Sequence, residues 1–291
     1  MRTETKKYFL PILIILLLII STFLIYLDWQ NSHKKFTFAM LDVGQGDALF
    51  IESPTGTQVL IDGGPPRKIL GSLKRVMSPF DKSIDAVIIT NPDQDHIGGL
   101  SDILKFYKVG KVFESGTWSD SKIYQTLEAE IKNKNIPNIL AKKGMRLDLG
   151  DGVVLDILFP DQDVTDWQTN DGSIIAKLSY GNISFMLTGD ATTETEKIIL
   201  KENSFQKLKS DVLKLGHHGS RTSTSREFLE AVSPRVALIS VGTKNKYGHP
   251  HQEIINILDE FKMKIFRTDL SGTILIKCDK MERCETNKLK N

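Results

Sequence analysis

Cysteine is scarce. The 291-residue chain has two, Cys278 and Cys284, both near the C-terminus. Two thiols are too few for a multi-disulfide framework, and their spacing is not that of a zinc ribbon. They admit a short-loop disulfide, if the domain lies outside the cell, or two unpaired thiols. An excess of charge of one sign is lacking too. The formal net charge is +2, so the total gives no strong field toward nucleic acid, although a local basic rim fits inside a near-neutral sum. No short repeat and no low-complexity segment is visible.

One long apolar run is present, from Tyr8 to Leu27. Its length of about 20 residues is what a helix needs to cross a hydrocarbon core. Pro11 falls in the first turns, where a missing N–H costs least. Arg2, Lys6 and Lys7 precede the run and favour a cytoplasmic N-terminus, while Lys34 and Lys35 beyond it weaken that bias. Trp29 fits an interfacial anchor. A cleavable signal would end in small residues, and Phe23 to Leu27 offers no such site. The expected order is a cytoplasmic N-terminus (1–7), a transmembrane helix (8–27), a linker (28–35), one folded domain (36–277) and a polar tail (278–291). The domain is long enough for one sizeable core.

Within it, strand-like runs alternate with amphipathic ones. Strands are expected at Phe36–Val43, Ala48–Glu52, Val59–Ile61, Ala86–Thr90 and Val112–Phe113, then at Val153–Phe159, Ile174–Tyr180, Ile183–Leu187, Val212–Leu215, Val236–Val241, Ile265–Arg267 and Thr273–Lys277. Gly181-Asn182 reads as a hairpin turn. Helices are expected over Lys68–Met77, Leu100–Tyr107, Ser121–Lys134, Glu194–Lys201, Ser225–Ala231 and Gln252–Phe261. Two packed sheets with helices outside satisfy this order.

Five polar, glycine-containing clusters stand at or near strand ends. They are Asp42-Val43-Gly44-Gln45-Gly46-Asp47, Asn91-Pro92-Asp93-Gln94-Asp95-His96, Thr188-Gly189-Asp190, Gly216-His217-His218-Gly219-Ser220 and Tyr247-Gly248-His249-Pro250-His251. Four of them alone have an ordinary explanation, a β-turn, an acidic helix-capping loop, an N-cap and a proline loop, whereas paired histidines at a strand end are uncommon as structural filler. Their conjunction points instead to a cation site, because carboxylate oxygen and imidazole nitrogen together suit zinc or manganese.

In order and wording these stretches resemble the metallo-β-lactamase superfamily, and in detail the extracytoplasmic hydrolase domain of ComEC-type competence proteins. The matching segments are LDVGQGDALFIESPTGTQVLIDGG, NPDQDHIGGL, NDGSIIAKLSYGNISFMLTGDA, LKLGHHGSRTSTS and ISVGTKNKYGHPH. The resemblance implies a four-layer αββα sandwich with a metal site at one edge of the sheets. It implies a Zn or Mn site made of Asp95, His96, Asp190 and His218, with Asp93 beside it. Asn91, Asp93 and the shared Asp190 would border a weaker second site. The family's motif begins with His where this chain has Asn91, and amide is a poor ligand beside imidazole. Asn170, His217 and Ser220 are second-site or substrate-side candidates.

The implied activity is hydrolysis of a phosphodiester such as extracellular DNA. A divalent cation would lower the pKa of a water, toward about 7 with zinc. Asp95 would ligate the cation or take the water's proton, Asp190 would orient the site, and His249 would touch substrate or protonate the leaving group. Arg221, Lys244 and Lys246 would line a phosphate rim. Two rival readings remain open: a catalytically weakened module binding DNA or a wall polymer, and an esterase acting on phosphorylated wall polymers.

Overall fold

A computed structural model describes residues 4–32, 35–279 and 283–290. Period-2 alternation builds the sandwich. Along the first strand Phe36, Phe38 and Met40 face one core and Ala39 faces another. Side chains on a strand point to opposite faces in turn, so a strand apolar on both faces is buried on both.

Fifteen strands occur among the described residues. They are β1 (Phe36–Met40), β2 (Leu49–Glu52), β3 (Gln58–Ile61), β4 (Ser83–Ile89), β5 (Lys108–Glu114), β6 (Asn138–Leu140), β7 (Arg146–Gly150), β8 (Val153–Phe159), β9 (Ile175–Tyr180), β10 (Ile183–Leu187), β11 (Val212–Lys214), β12 (Val236–Ile239), β13 (Lys264–Arg267), β14 (Thr273–Cys278) and β15 (Cys284–Leu289). One sheet runs β15-β14-β1-β2-β3-β4-β5-β6 and the other β13-β12-β11-β10-β9-β8-β7. In each sheet one half is antiparallel. The other half is parallel, β3 to β6 in the first and β10 to β13 in the second.

Three apolar layers hold the four structural layers together. Between the sheets Phe36 stacks on Tyr180 and Phe38 on Phe185, with ring centroids 4.9 and 4.5 Å apart. Outside the first sheet, Leu73, Ile103, Leu104, Leu127 and Ile131 cover it from helices Ile69–Leu73, Leu100–Phe106 and Lys122–Asn133. Outside the second, helices Thr193–Glu202, Arg226–Val232 and Gln252–Glu260 contribute Ile199, Phe228 and Leu258. The expected two-sheet α/β architecture is present.

Several boundaries differ from expectation. β6, β7 and β15 were not anticipated. β7 alternates apolar and charged residues over only five positions, and β6 is three residues long. Residues 284–289, expected in a polar tail, pair antiparallel with β14, and Cys278 and Cys284 are disulfide-bonded partners in register. A mostly exposed, polar edge strand carries little apolar signal. The N-terminal helix spans Glu4–Ser32, so it takes up most of the expected 28–35 linker. Among the described residues no helix is long and apolar enough to cross a membrane. Within the expected span 8–27, Leu24, Tyr26 and Leu27 lie outside the described side chains.

A carboxyl pair links β5 to the helix Lys122–Asn133. The Asn138 amide Nδ2 donates to Glu114 Oε1 at 3.0 Å and to Glu128 Oε2 at 3.5 Å. Burial, then the neighbouring Glu128 charge, pushes the Glu114 carboxyl up to about 7 from 4.5. The folded state therefore holds more protons than the unfolded chain in that interval, and stability falls as pH rises through it. Thermal melts from pH 4.5 to 8 should show this fall in the parent and a flatter profile in Glu114→Gln; identical profiles would contradict the pairing.

Candidate metal centre

Every residue of the centre follows a strand end, and most follow the C-terminal ends of the parallel strands. Asp62 follows β3, Asp95 and His96 follow β4, Asp190 follows β10, His218 follows β11 and Ser240 follows β12. Open α/β sheets place ligands outside the carboxyl ends of their strands. Asp47 arrives from the turn between β1 and β2. Gly46 makes that turn workable: its φ is +136°, and a Cβ there would strike the Asp95 carbonyl. The Asp47 N–H instead donates to that carbonyl at 3.1 Å, so the first and second sequence clusters brace each other.

Asp95, His96, Asp190 and His218 converge. One donor atom from each lies within 4.8 Å of the others. His96 Nε2 is 3.1 Å from Asp190 Oδ2, and His218 Nε2 is 3.4 Å from the same oxygen and 3.3 Å from Asp95 Oδ2. Neither Nε2 makes a hydrogen bond, and both are buried. Buried polar atoms without partners are rare in native proteins and call for an explanation. Two imidazole nitrogens and two carboxylate oxygens aimed at one point fit a divalent transition metal.

The opposite ring nitrogens are fixed from behind. His96 Nδ1 is 2.8 Å from Asp62 Oδ2. Asp62 also accepts from the Thr90 N–H at 2.8 Å and the Thr90 hydroxyl at 2.6 Å. His218 Nδ1 donates to the Ser240 carbonyl at 2.9 Å. Such outer contacts set the tautomer and turn Nε2 toward the ion. The His218 ring gets there through strained backbone. His217 and His218 have φ of 47° and 56°, and left-handed conformation costs non-glycine residues roughly 1–2 kcal/mol each.

Lys214 completes the floor. It is fully buried on the inter-sheet face of β11, ion-paired to Asp47. Its ammonium donates to the Gly189 carbonyl at 2.8 Å and lies 3.8 Å from Asp190 Oδ1. Asp47, Asp62 and His96 form a second acidic group close enough to hold a cation, and the Lys214 ammonium already serves its Asp47.

Charge sets the protonation states. Burial disfavours ionised Asp190, but His218, His96 and Lys214 outweigh it and hold this carboxyl well below its ordinary range. Burial also disfavours charged His218, yet Asp190 and Asp47 raise it to about 10. His96 is raised well above 6.5, burial again being overcome by Asp190 and Asp62.

The remaining expected residues are placed as follows. Asp93 is outside the four-residue set; it accepts from the Thr169 hydroxyl at 3.1 Å. Asn91 is buried, with its Oδ1 accepting from the Asp93 N–H at 2.9 Å and its Nδ2 donating to Ser173 at 3.2 Å. Asn170 caps a turn through its carbonyl, and its side-chain oxygen is buried without a partner. His217 Nε2 is 3.9 Å from Asp190 Oδ2, with Nδ1 against Thr222. Ser220, a second-site or substrate-side candidate, is buried and accepts from the Thr222 N–H and hydroxyl. His249 was expected to touch substrate or to protonate the leaving group. Burial, then the charges of His217 and His218, lowers it to about 4, so at neutral pH it is an acceptor. A cavity of about 730 Å³ lies away from the centre, along the β5, β6 and β7 edges.

Two sheets packed face to face between helices, with a His/Asp cation site at their strand ends, are the architecture of the metallohydrolase fold. The family profile described as "Metallo-beta-lactamase superfamily" matches residues 41–243, and the chain belongs to that superfamily. It is 36% identical over 255 residues to ComE operon protein 3 of Bacillus subtilis, covering 81% of this chain and 32% of that protein. It is 30% identical over 263 residues to Recombination protein 2 of Haemophilus influenzae, covering 89% and 31%. The chain thus spans about a third of the length of these curated relatives. Among solved structures it is similar to the metallo-β-lactamase fold protein YhfI from Bacillus subtilis. The TM-score is 0.56 and the identity 12%, with 84% of this chain and all of that one covered.

Cation binding should expel protons. His96 and His218 are both protonated near neutral pH in the metal-free protein, and ligands must be deprotonated to bind. Calorimetric titration with Zn²⁺ in buffers of different ionisation enthalpy should report about two protons released per ion near pH 7. Affinity should climb with pH up to about 10. Proton-neutral binding would contradict this assignment.

Proposed function

We propose that the chain is a membrane-anchored phosphodiesterase acting on DNA outside the cell. The convergence of Asp95, His96, Asp190 and His218, with Asp95 a third exposed at the mouth, carries this reading. Those four residues would hold a zinc or manganese ion, which when bound would supply Lewis acidity and lower the pKa of a water. Asp95, a third exposed, would either ligate the ion or accept a proton from water at the mouth. Asp190 lies against both imidazoles, with the Lys214 ammonium 3.8 Å from its other oxygen favouring the ionised form. Neutral His249 accepts a hydrogen bond from substrate or water. Arg221, Lys244 and Lys246 hold phosphates at the rim. Asn91 and Asp93 border a weaker second cation position.

The names of the curated relatives, a competence-operon protein and a recombination protein, support DNA as substrate. The apolar side chains exposed on the N-terminal helix, among them Phe9, Ile12, Leu18 and Phe23, support burial in a bilayer over residues 8–27. The Cys278–Cys284 disulfide supports an extracytoplasmic domain, because disulfides persist in oxidising compartments. One observation favours a binding module instead: the Asn91 and Asp93 side chains are engaged with their own loop and Thr169.

The detergent-solubilised full chain, supplied with Mn²⁺ or Zn²⁺, should cleave a labelled single-stranded oligonucleotide faster than a teichoic-acid ester. Asp190→Ala and His218→Ala should each lose about a hundredfold or more. Undiminished cleavage in both variants would overturn the site. Stoichiometric DNA binding without any cleavage would favour the binding module.

A further inference from the structure

We infer that Tyr247 is a nucleobase-stacking platform beside the metal centre, selecting unpaired bases. This rests on the phosphodiester reading. A relay of aromatic rings leads from solvent to Asp190. Tyr247 is 53% exposed, a large aromatic surface at the end of the 242–249 loop. Its ring stacks on His249 with centroids 5.7 Å apart and planes 24° from parallel. His249 meets His217 edge-on at 5.4 Å, and His217 Nε2 is 3.9 Å from Asp190 Oδ2. Tyr247 therefore stands two rings, His249 and His217, away from the edge of the centre.

The loop is built to hold that ring still. The Asn245 Nδ2 donates to the carbonyls of Gly242 and His249, at 3.1 and 2.7 Å, and its Oδ1 accepts from the His249 N–H at 2.9 Å. One side chain thus closes the loop at three points. Gln45, from the β1–β2 turn that also carries Asp47, accepts from the Gly242 N–H at 3.2 Å. The Lys246 ammonium lies 5.0 Å from the Tyr247 ring centroid, and Lys244 is exposed two residues earlier. A base on the ring would take the place of the Lys246 ammonium over the aromatic face, leaving that ammonium and Lys244 to meet its phosphate. This pairing of stacking surface with cations is how single strands are held. In a duplex the base faces are hidden, so the platform favours single strands. A phosphorylated wall polymer has no planar base to stack.

The test measures affinity and cleavage together, with the metal-loaded full chain. Fluorescence anisotropy would follow a short hydrolysis-resistant phosphorothioate thymidylate and an abasic oligomer with the same linkages. The parent should bind the thymidylate about tenfold more tightly than the abasic oligomer. Tyr247→Ala should remove that preference, and Tyr247→Phe should restore it. Thermal melts would show that the exposed substitutions leave the fold intact. Equal affinities in the parent, or a preference that survives Tyr247→Ala, would overturn the platform while cleavage of ordinary oligonucleotide continued. Loss of all metal-dependent cleavage in the parent would overturn the reading beneath it, and the platform with it.

Discussion

The arrangement depends on how four buried or half-buried carboxylates are neutralised. Asp47, Asp62, Asp95 and Asp190 crowd the strand ends, and among the described residues the Lys214 ammonium is the one fixed positive charge between them. Burial of an unpaired carboxylate is prohibitive, so the rest of the compensation must come from protons on His96 and His218 or from a divalent ion. The same oxygens and nitrogens serve either way. This explains why both imidazoles have acidic partners and yet leave Nε2 unsatisfied. The Lys214–Asp47 pair also joins the two sheets, since Asp47 comes from the first and Lys214 from the second. Losing one member of such a pair strands the other and costs about 3–5 kcal/mol.

The fold supplies the convergence. Each sheet has a parallel half, and the strands of both halves send their carboxyl ends toward one rim. Residues far apart in sequence meet there because the inter-sheet core sets the spacing of the two rims. The strained His217–His218 turn is tolerated because the surrounding loops over-determine it: Leu215 N–H bonds to Leu238, and Ser223 bonds to Gly216 and Ser220. Superfamily membership fixes this scaffold and not the reaction, because the same fold is shared with the diiron β-hydroxylase CmlA at a TM-score of 0.53.

Much of this was legible in the chain. The candidate ligand residues stand out because polar, glycine-containing motifs rarely follow five apolar strands by accident. Asp47 and Asp62 were visible only as parts of motifs, and their role behind the histidines needs three-dimensional contact. Lys214 went unread although it left a signal. It shares the inward face of β11 with Val212, while Leu213 and Leu215 face the helices, so a lysine occupied an interior position of a buried strand. The fold of Thr222 back over the Ser220 hydroxyl is likewise a contact that the motif alone does not show. The low proton affinity of His249 comes from burial and from neighbours brought by the β11–helix turn, and none of that is local sequence.

The most direct measurement is anomalous X-ray diffraction from crystals of the metal-loaded protein, collected on both sides of the zinc or manganese edge. The account predicts a strong peak at bonding distance from His96 Nε2, His218 Nε2, Asp190 and Asp95, roughly 2.0–2.2 Å for zinc. A crystal loaded with excess metal that shows no peak among these four residues would contradict it.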